Sequence, residues 1–342
     1  MTGWPDTSRL RKWLGGDIER LTAQQPLQQF VWKPLNDLGI DCWIKRDDLL
    51  HPLISGNKLY KLWGHLQQAR RQKAQSLVSF GGAYSNHLHA LAAAGQALGY
   101  ETHGVIRGHR PKQLSPTLSD CESLGMKLMF AGYQEYRDKE RAETVKAYIE
   151  SLHLPYLIPE GGGGTAGAEY CSALMKVLRQ GMPGPATVCL PCGTGTTLQG
   201  LVQTSHAAEK FLGFGVLKPS NRDREGQWTE MEQRIADSVD VRKTGQWRIT
   251  FDYHGGGYAK ASPELLDFIV DFEGTTGIPL EPVYSGKMMW GILQLAQQGF
   301  WPAGSRVVAI HTGGLQGRRG FSKLPPLEQQ SEVTSKGVCH SL

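Results

Sequence analysis

Short apolar runs alternate with glycine-rich turns and helical patterns from about residue 76 onward. The first unit runs from an apolar segment at 77–80, through Gly81 and Gly82, into an alanine- and leucine-rich helix predicted over 86–98 that Gly99 ends. Further strands are predicted at 100–106, 155–159, 187–191, 247–253, 280–284 and 306–311. A capped helix is predicted near Ser262-Pro263-Glu264. This order of elements is typical of a doubly wound α/β protein.

Length and composition favour a folded globular protein over a membrane or nucleic-acid-binding protein. The chain has 342 residues, of which 40% are hydrophobic and 20% charged, and this length favours two domains or one large α/β unit. It contains no apolar span of membrane length and no signal-peptide-like run near its start, so we expect a cytoplasmic protein. The net charge of +5 is spread along the chain without a basic arm, which argues against nucleic acid and mildly favours anionic ligands.

The six cysteines do not form the spacing of a disulfide framework or a zinc site. Cys189 and Cys192 make a lone CxxC, for which a redox role is one interpretation. Because no second pair completes a metal site, two reduced thiols at a strand end are the favoured interpretation, and no metal is predicted.

A lysine stands at the start of a predicted helix in the segment Gly56-Asn57-Lys58. The helical pattern continues through Leu62 and Leu66, so we expect Lys58 in the first turn. The positive end of the helix dipole and partial burial would both lower the pKa of its amine, which Schiff-base chemistry requires. A solvated lysine is the common alternative, and this motif alone does not decide between them.

Two glycine-rich turns lie between a predicted strand and a predicted helix. In the first, Ser85 and Asn86 can donate hydrogen bonds to a substrate carboxylate and a ring oxygen, although capping the helix is the more common role for Ser85. In the second, at 193–200, consecutive amides and three threonine hydroxyls suit a phosphate. This second turn is not a P-loop, because the lysine that should follow its last glycine is absent.

The run at 162–167 matches GxGxxG and raises the alternative of a nicotinamide oxidoreductase. That motif requires an acidic residue at the end of the next strand, which here reads Leu190-Pro191-Cys192. The dinucleotide interpretation therefore lacks its second requirement.

Two further motifs follow predicted strands, at 284–287 and 311–314. Open α/β sheets bind their ligands at the carboxyl ends of strands. Tyr258 and Tyr284 can act as acids or orient a substrate, although core packing is more common for any single tyrosine. Lys287 is a second candidate for the lysine that forms the imine, but no glycine-asparagine pair precedes it in the sequence.

Together these motifs resemble the pyridoxal-phosphate enzymes of the tryptophan-synthase-β fold type (fold type II), and within them the 1-aminocyclopropane-1-carboxylate deaminase/D-cysteine desulfhydrase family. The resemblance covers most of residues 40–320. It is carried, in the family's order and approximate spacing, by Ile44–Leu49, Gly56–Lys58, Ser85–His87, Gly193–Thr197, Val283–Lys287 and His311–Gly314.

The resemblance implies two doubly wound open-sheet domains with the cofactor cleft between them. The large domain would comprise 1–60 and 172–325, and the small domain 61–171. A polar tail at 326–342, which lacks periodicity, is expected to be loosely ordered. Related enzymes are generally homodimers, and we expect the same here.

The resemblance also implies a role for each motif residue. Lys58 would form the Schiff base with pyridoxal 5′-phosphate, Asn86 would bond its phenolic oxygen, and Ser285 would face the pyridine nitrogen. The implied cofactor-binding residues are Lys58, Asn57, Asn86, Gly193, Thr194, Gly195, Thr196, Thr197, Ser285, Thr312 and Gly313. The implied catalytic residues are Lys58, Ser85 for the substrate carboxylate, and Tyr258 and Tyr284 for orienting substrate or leaving group.

Ser285 and Thr312 favour the desulfhydrase branch of the family. Ring-opening deaminases carry glutamate and leucine at these positions, whereas desulfhydrase-like members carry hydroxyl residues. D-cysteine is therefore the predicted substrate, with Lys58 as candidate base for the Cα proton and pyruvate, ammonia and hydrogen sulfide as products. The family commonly has glutamine at Tyr84 and glycine at Thr196. Ring-opening deamination, another β-substituted amino acid, and a non-catalytic protein that keeps the fold and cofactor remain alternatives.

Overall fold

Two sheets form the frame of the computed structural model, which describes residues 7–219, 228–240 and 244–324. The strands are β1 (Leu27–Gln29), β2 (Asp41–Lys45), β3 (Ser76–Gly81), β4 (Glu101–Arg107), β5 (Lys127–Ala131), β6 (Pro155–Ile158), β7 (Thr187–Cys192), β8 (Lys210–Gly215), β9 (Gln246–Thr250) and β10 (Arg306–Ile310). The helices are α1 (Thr7–Leu14), α2 (Ile18–Ala23), α3 (Lys33–Asn36), α4 (Asn57–Arg71), α5 (Asn86–Leu98), α6 (Pro116–Ser123), α7 (Tyr133–Asp138), α8 (Glu143–Glu150), α9 (Gly164–Glu169), α10 (Ser172–Gly181), α11 (Thr196–Gln203), α12 (Glu230–Asp237), α13 (Pro263–Thr276) and α14 (Ser285–Gln297).

The strand order confirms the predicted fold class. The larger sheet runs β1-β2-β10-β7-β8-β9 and the smaller one β5-β4-β3-β6. The strand pairs are parallel, with the exception of β1 and β2. The smaller sheet lies wholly between β2 and β7 along the chain. The domain limits at 60/61 and 171/172 stay a prediction, and the tail at 326–342 lies outside the described residues.

Capping chemistry read from the sequence sets the helices that carry the site. Ser85 caps α5 by accepting a hydrogen bond from the backbone N–H of Leu88 at 3.2 Å, and Gly99 ends the helix in the left-handed conformation. Ser262 caps α13, with Pro263 in its first turn. Lys58 lies in the first turn of α4, as predicted. The cysteines of the described residues, namely Cys42, Cys121, Cys171, Cys189 and Cys192, are free and buried.

The strand predicted at 280–284 is wrong. The buried Glu281 carboxylate accepts hydrogen bonds from the backbone N–H groups of Val283, Tyr284 and Ser285 at 2.7, 2.7 and 2.6 Å. Because these donors are bound locally, and Pro282 has none, the segment forms a turn that leads into α14. The pattern also missed β1, β2, β5 and β8, of which β8 contains glycines at 213 and 215 that lower strand propensity.

Apolar side chains cover both faces of the larger sheet. On one face, α13 and α14 pack against it with Trp32, Phe268 and Phe272, whose rings meet edge-on or stacked. On the other face, α4, α5 and α10 contribute to a core that continues to the smaller sheet. Within the described ranges, no helix combines the length and the hydropathy that crossing a bilayer demands.

Candidate active site

A cavity of about 530 Å³ lies at the carboxyl ends of the strands of both sheets. Its size is in the range of small-molecule sites, and its place is where open α/β sheets bind ligands. Of the residues predicted for the site, those in its wall are Asn57, Lys58, Ser85, Asn86, Gly193, Thr194, Gly195, Thr197, Tyr258 and Tyr284. The tertiary structure thus brings together motifs that are more than 200 residues apart in the chain.

Lys58 enters this cavity from the start of α4. Its Nζ donates to Asn57 Oδ1 at 2.9 Å and lies 5.7 Å from the centroid of the Tyr284 ring. Burial, helped by the positive charge of Lys61, lowers the pKa of Lys58 from 10.5 to about 7. A large fraction of the amine is therefore unprotonated at neutral pH, which is the form that attacks a carbonyl.

Gly56 fixes the approach of this lysine. It has φ of +63°, and a Cβ on it would lie 1.9 Å from the carbonyl oxygen of Thr312. The turn before Lys58 therefore packs directly on the loop after β10, and Ser55 Oγ accepts a hydrogen bond from the N–H of Gly314 at 3.1 Å. The backbones of the motifs at 56–58 and 311–314 are therefore in direct contact.

The turn between β7 and α11 is rich in glycine and threonine and packs against the start of α4. Gly195 is left-handed, so the backbone turns sharply into the helix. Thr194 and Thr196 hydroxyls are 2.9 Å apart, and Asn57 Nδ2 donates to Thr197 Oγ1 at 2.9 Å. These contacts hold the turn beside the first turn of α4.

Lys61 is a residue of the cavity wall that the sequence analysis missed. Its side chain is buried, its Nζ donates to Thr194 Oγ1 at 3.4 Å, and no ion pair in the described part of the chain joins it to a carboxylate. Burial lowers the pKa of Lys61, because its charged form is costly without a counter-charge, and an anion in the 193–197 turn would favour that charged form. This fits a phosphate group at that place. Its position three residues after Lys58, on the same helix face, was the available signal.

Ser85 and Asn86 present the amino end of α5 to the cavity. Ser85 is both the helix cap and part of the cavity wall. Asn86 Oδ1 accepts from Gln316 Nε2 at 3.0 Å, and Gly314 packs against its side-chain amide. A helix amino terminus with free amides and a hydroxyl can bind a carboxylate.

His87, which the sequence analysis did not single out, is a buried neutral acceptor in the cavity wall. Ser79 Oγ donates its only hydrogen to the carbonyl of Ile158 at 2.8 Å, so it must accept from His87 Nε2 at 2.9 Å. Burial, with the nearby charge of Lys58, lowers the pKa of His87 well below its usual value. Nδ1 is thus unprotonated, and no hydrogen-bond partner for it exists in the described residues.

Four predicted cofactor residues, Thr196, Ser285, Thr312 and Gly313, lie outside the cavity wall. Ser285 is fully buried, and its hydroxyl accepts from the N–H of Glu281 at 2.9 Å and lies 3.3 Å from the Glu281 carboxylate. Burial raises the pKa of Glu281. The carboxyl group of Glu281, which the sequence analysis missed, therefore lies next to the Ser285 hydroxyl. The cofactor contacts of these four residues stay predictions.

Tyr258 and Tyr284 form a half-buried aromatic pair on the wall formed by the larger sheet and its loops. Their ring centroids are 6.3 Å apart at an interplanar angle of 73°. Burial raises the pKa of both phenols. Both are therefore neutral hydrogen-bond donors at physiological pH.

The glycine run at 162–167 serves helix packing. A Cβ on Gly64 of α4 would lie 1.8 Å from the carbonyl oxygen of Ala166, and one on Gly167 would lie 2.0 Å from that of Gly162. The small residues therefore let α9 approach α4 closely, and this packing explains the run without a bound dinucleotide.

The low pKa of Lys58 predicts a pH dependence of stability in the cofactor-free protein. Between pH 7 and 10.5 the unfolded chain binds a proton at this amine that the folded chain does not, so the free energy of unfolding rises with pH. The contribution is complete above the unfolded pKa and is lost as the pH falls through about 7. Urea unfolding from pH 6 to 10 should give a steeper rise for the wild type than for Lys58→Met. Parallel curves would contradict the assigned pKa.

Comparison with known proteins agrees with this geometry. The family model described as "Pyridoxal-phosphate dependent enzyme" matches residues 19–313. One relative is a protein of Pyrococcus furiosus that is provisionally named a 1-aminocyclopropane-1-carboxylate deaminase. It is 28% identical over 307 residues, and the match covers 88% of this chain and 92% of that protein. A mitochondrial protein of Arabidopsis thaliana, named as a bifunctional D-cysteine desulfhydrase/1-aminocyclopropane-1-carboxylate deaminase, is 28% identical over 300 residues, covering 82% and 73%.

Solved structures share the fold. A structure described as an ACC deaminase homologue has a TM-score of 0.71 and 24% identity, covering 88% of this chain and 95% of that one. Threonine deaminase isoform 2 from Solanum lycopersicum has a TM-score of 0.61 and 16% identity, covering 91% and 85%. At these identities the likeness shows a common architecture.

Proposed function

The chain belongs to the pyridoxal-phosphate-dependent enzyme family, and on this premise we propose that it is a lyase that eliminates the thiol of D-cysteine. The observation that carries the proposal is Lys58, an amine with a pKa of about 7 in a cavity whose wall also contains the glycine- and threonine-rich turn at 193–197, held beside the first turn of α4. Ser285 and Thr312, as hydroxyl residues, favour the desulfhydrase reaction within the family pattern. The name of the Arabidopsis relative includes that activity.

The residues present fit pyridoxal 5′-phosphate. We propose that the phosphate binds the 193–197 turn, where Lys61 supplies the buried positive charge, and that Asn86 bonds the ring oxygen. Lys58 would hold the aldehyde carbon. When bound, the cofactor supplies an electron sink for the charge that develops at Cα.

The chain's own groups would perform the binding and proton steps. Ser85 and the amino end of α5 bind the substrate carboxylate, which the helix terminus favours electrostatically. Lys58 Nζ, free of its proton near neutral pH, takes the proton from Cα. Tyr258 and Tyr284, as neutral phenols, orient the leaving sulfur by hydrogen bonding.

The overall reaction consumes one D-cysteine and one water and yields pyruvate, ammonium and hydrogen sulfide. The Cα–H and Cβ–S bonds break, and the sulfur leaves with its bonding electron pair. The Cα–N bond is then hydrolysed, so the water oxygen becomes the keto oxygen of pyruvate. No external oxidant or reductant is needed.

A substrate panel tests the proposal. We expect cofactor-loaded enzyme to release pyruvate and sulfide from D-cysteine. For L-cysteine we expect a kcat/KM at least about tenfold lower, because only one enantiomer places its Cα hydrogen toward Lys58. β-Chloroalanine and serine define the leaving-group range. If 1-aminocyclopropane-1-carboxylate gave 2-oxobutanoate and D-cysteine gave no sulfide, ring-opening deamination would replace this function. Bound cofactor with no turnover of any amino acid would indicate a binding protein.

A further inference from the structure

The smaller sheet brings a group of cationic side chains to the cavity, opposite the wall of Tyr258 and Tyr284. Arg107 ends β4, and Arg137 and Lys139 lie in and just after α7, which follows β5. Strands β4 and β5 are parallel neighbours, with Arg107 paired to Ala131, so their carboxyl ends carry these groups to the same edge. Glu160, which follows β6, is the one acidic residue in the described wall of this cavity.

Glu160 is already committed to two partners. Its Oε2 lies 2.6 Å from Lys139 Nζ, and its Oε1 accepts from the Tyr136 hydroxyl at 2.6 Å. Lys139 also lies over the Tyr136 ring at 3.4 Å. The cluster of Tyr136, Lys139 and Glu160 is therefore satisfied internally and neutralises a single positive charge.

Arg107 and Arg137 are left without a counter-charge. Both line the cavity and are exposed, and within the described ranges no hydrogen bond or ion pair joins either guanidinium to another group. Arg107 acts on the site, because its positive charge tends to lower the pKa of Tyr258 and of Tyr136, although burial dominates and raises both. Two arginines without an ion pair in the described ranges thus line the cavity that would hold the substrate.

The other anionic groups expected in the cavity already have their own sites. Under the proposed function, the cofactor phosphate would take the 193–197 turn and Lys61, and the substrate α-carboxylate would take Ser85 and the amino end of α5. Neither group needs Arg107 or Arg137. A guanidinium offers paired N–H donors that match two oxygens of one anionic group, which makes arginine well suited to carboxylate, sulfonate or phosphate.

We propose that Arg107 and Arg137 form a subsite for a second anionic group, so that the enzyme accepts, besides D-cysteine, amino acids whose β-substituent carries a negative charge. This inference rests on the proposed elimination. With O-phosphoserine, for example, the Cβ–O bond breaks, phosphate leaves with the electron pair, and one water is consumed as pyruvate and ammonium form. The subsite holds the oxygens of the leaving group and stabilises the charge that accumulates on them.

The test compares substrates with and without the extra charge. Wild type, Arg107→Gln, Arg137→Gln and the double variant are assayed with both hands of O-phosphoserine and cysteate, and with D-cysteine. We expect the ratio of kcat/KM for the anionic substrates to that for D-cysteine to fall about tenfold to a hundredfold in the double variant. Arg71→Gln is the matched control, because Arg71 is also exposed and has no ion pair with another described residue, but lies outside the cavity wall. It should leave the ratio unchanged.

A binding measurement separates failure of the subsite from failure of the proposed function. Calorimetric titration of the cofactor-loaded protein with D- and L-aspartate, compared with D- and L-alanine, should show tighter binding of aspartate that the double variant loses. Selective aspartate binding without elimination of any substrate would support the subsite and contradict the lyase proposal. Elimination of D-cysteine, with anionic substrates slower and the ratio unaffected by the double variant, would overturn the subsite alone.

Discussion

Replacing Lys58 with alanine is expected to lower kcat by about four orders of magnitude or more, because the amine would both hold the cofactor and move the Cα proton. The expectation follows from its place in the first turn of α4 and from burial, which brings its pKa to about 7. Two measurements check it. One is pyruvate formation from D-cysteine. The other is the visible absorption of the cofactor that stays with the protein after gel filtration, which should be present for the wild type and lost in Lys58→Ala.

Lys287 provides the matched control. It is also a buried lysine whose pKa burial lowers, to about 8, but its Nζ donates to the carbonyl of Gly257 at 2.7 Å and it lies outside the cavity wall. Lys287→Met should keep the cofactor absorption, even where loss of that hydrogen bond reduces stability, which thermal unfolding measures separately. If Lys287→Met lost the cofactor and Lys58→Ala kept it, the assignment of the reactive amine would be reversed.

Replacing Lys61 with methionine should have opposite effects on cofactor binding and on the stability of the cofactor-free protein. We expect the dissociation constant of pyridoxal 5′-phosphate to rise about a hundredfold, because the phosphate would lose a charged donor in a buried site. The cofactor-free variant should gain roughly 1 kcal/mol in free energy of unfolding, because burial disfavours the charged form of the Lys61 amine and no carboxylate among the described residues pairs with it. Spectroscopic titration with the cofactor and urea unfolding check the two halves.

Opposite changes in cofactor affinity and in the stability of the cofactor-free protein distinguish phosphate binding by Lys61 from a purely structural role. If Lys61 only supported the packing of α4, the variant would lose stability and cofactor affinity together. Lys210→Met, the same substitution at an exposed position at the start of β8, should change neither quantity. A Lys61→Met protein that bound the cofactor as tightly as the wild type would place the phosphate elsewhere.

The sequence predicted the elements that local chemistry fixes. The helix at 86–98 was predicted to the residue, because Ser85 caps it and Gly99 ends it without help from distant residues. The 280–284 segment shows the limit of that reasoning. Its apolar residues suggested a strand, but the Glu281 carboxylate binds the backbone donors that a neighbouring strand would have used. A periodic pattern reports which positions are apolar and carries no information on which group takes the backbone hydrogen bonds.

The same distinction applies to the site. The order of the motifs gave the fold class, because strand ends, glycine turns and helix starts follow one another within a few residues. The cofactor and the predicted role of Lys58 came from the family that the motifs together resemble. The motifs did not give Lys61, Glu281 or the unpaired state of Arg107 and Arg137. Those properties are burial and the absence of a counter-charge, and both depend on which distant segments surround a side chain.

By itself, then, the chain of amino acids determined a doubly wound α/β protein with glycine-bounded turns between its strands and helices, since these features follow from the backbone preferences of neighbouring residues. Only the tertiary structure decided which charges are satisfied. It pairs Lys139 with Glu160 and places Arg107 and Arg137 in the wall of the cavity. The reason is that the carboxyl ends of the two sheets lie together, and the side chains at those ends determine which charges are close to one another.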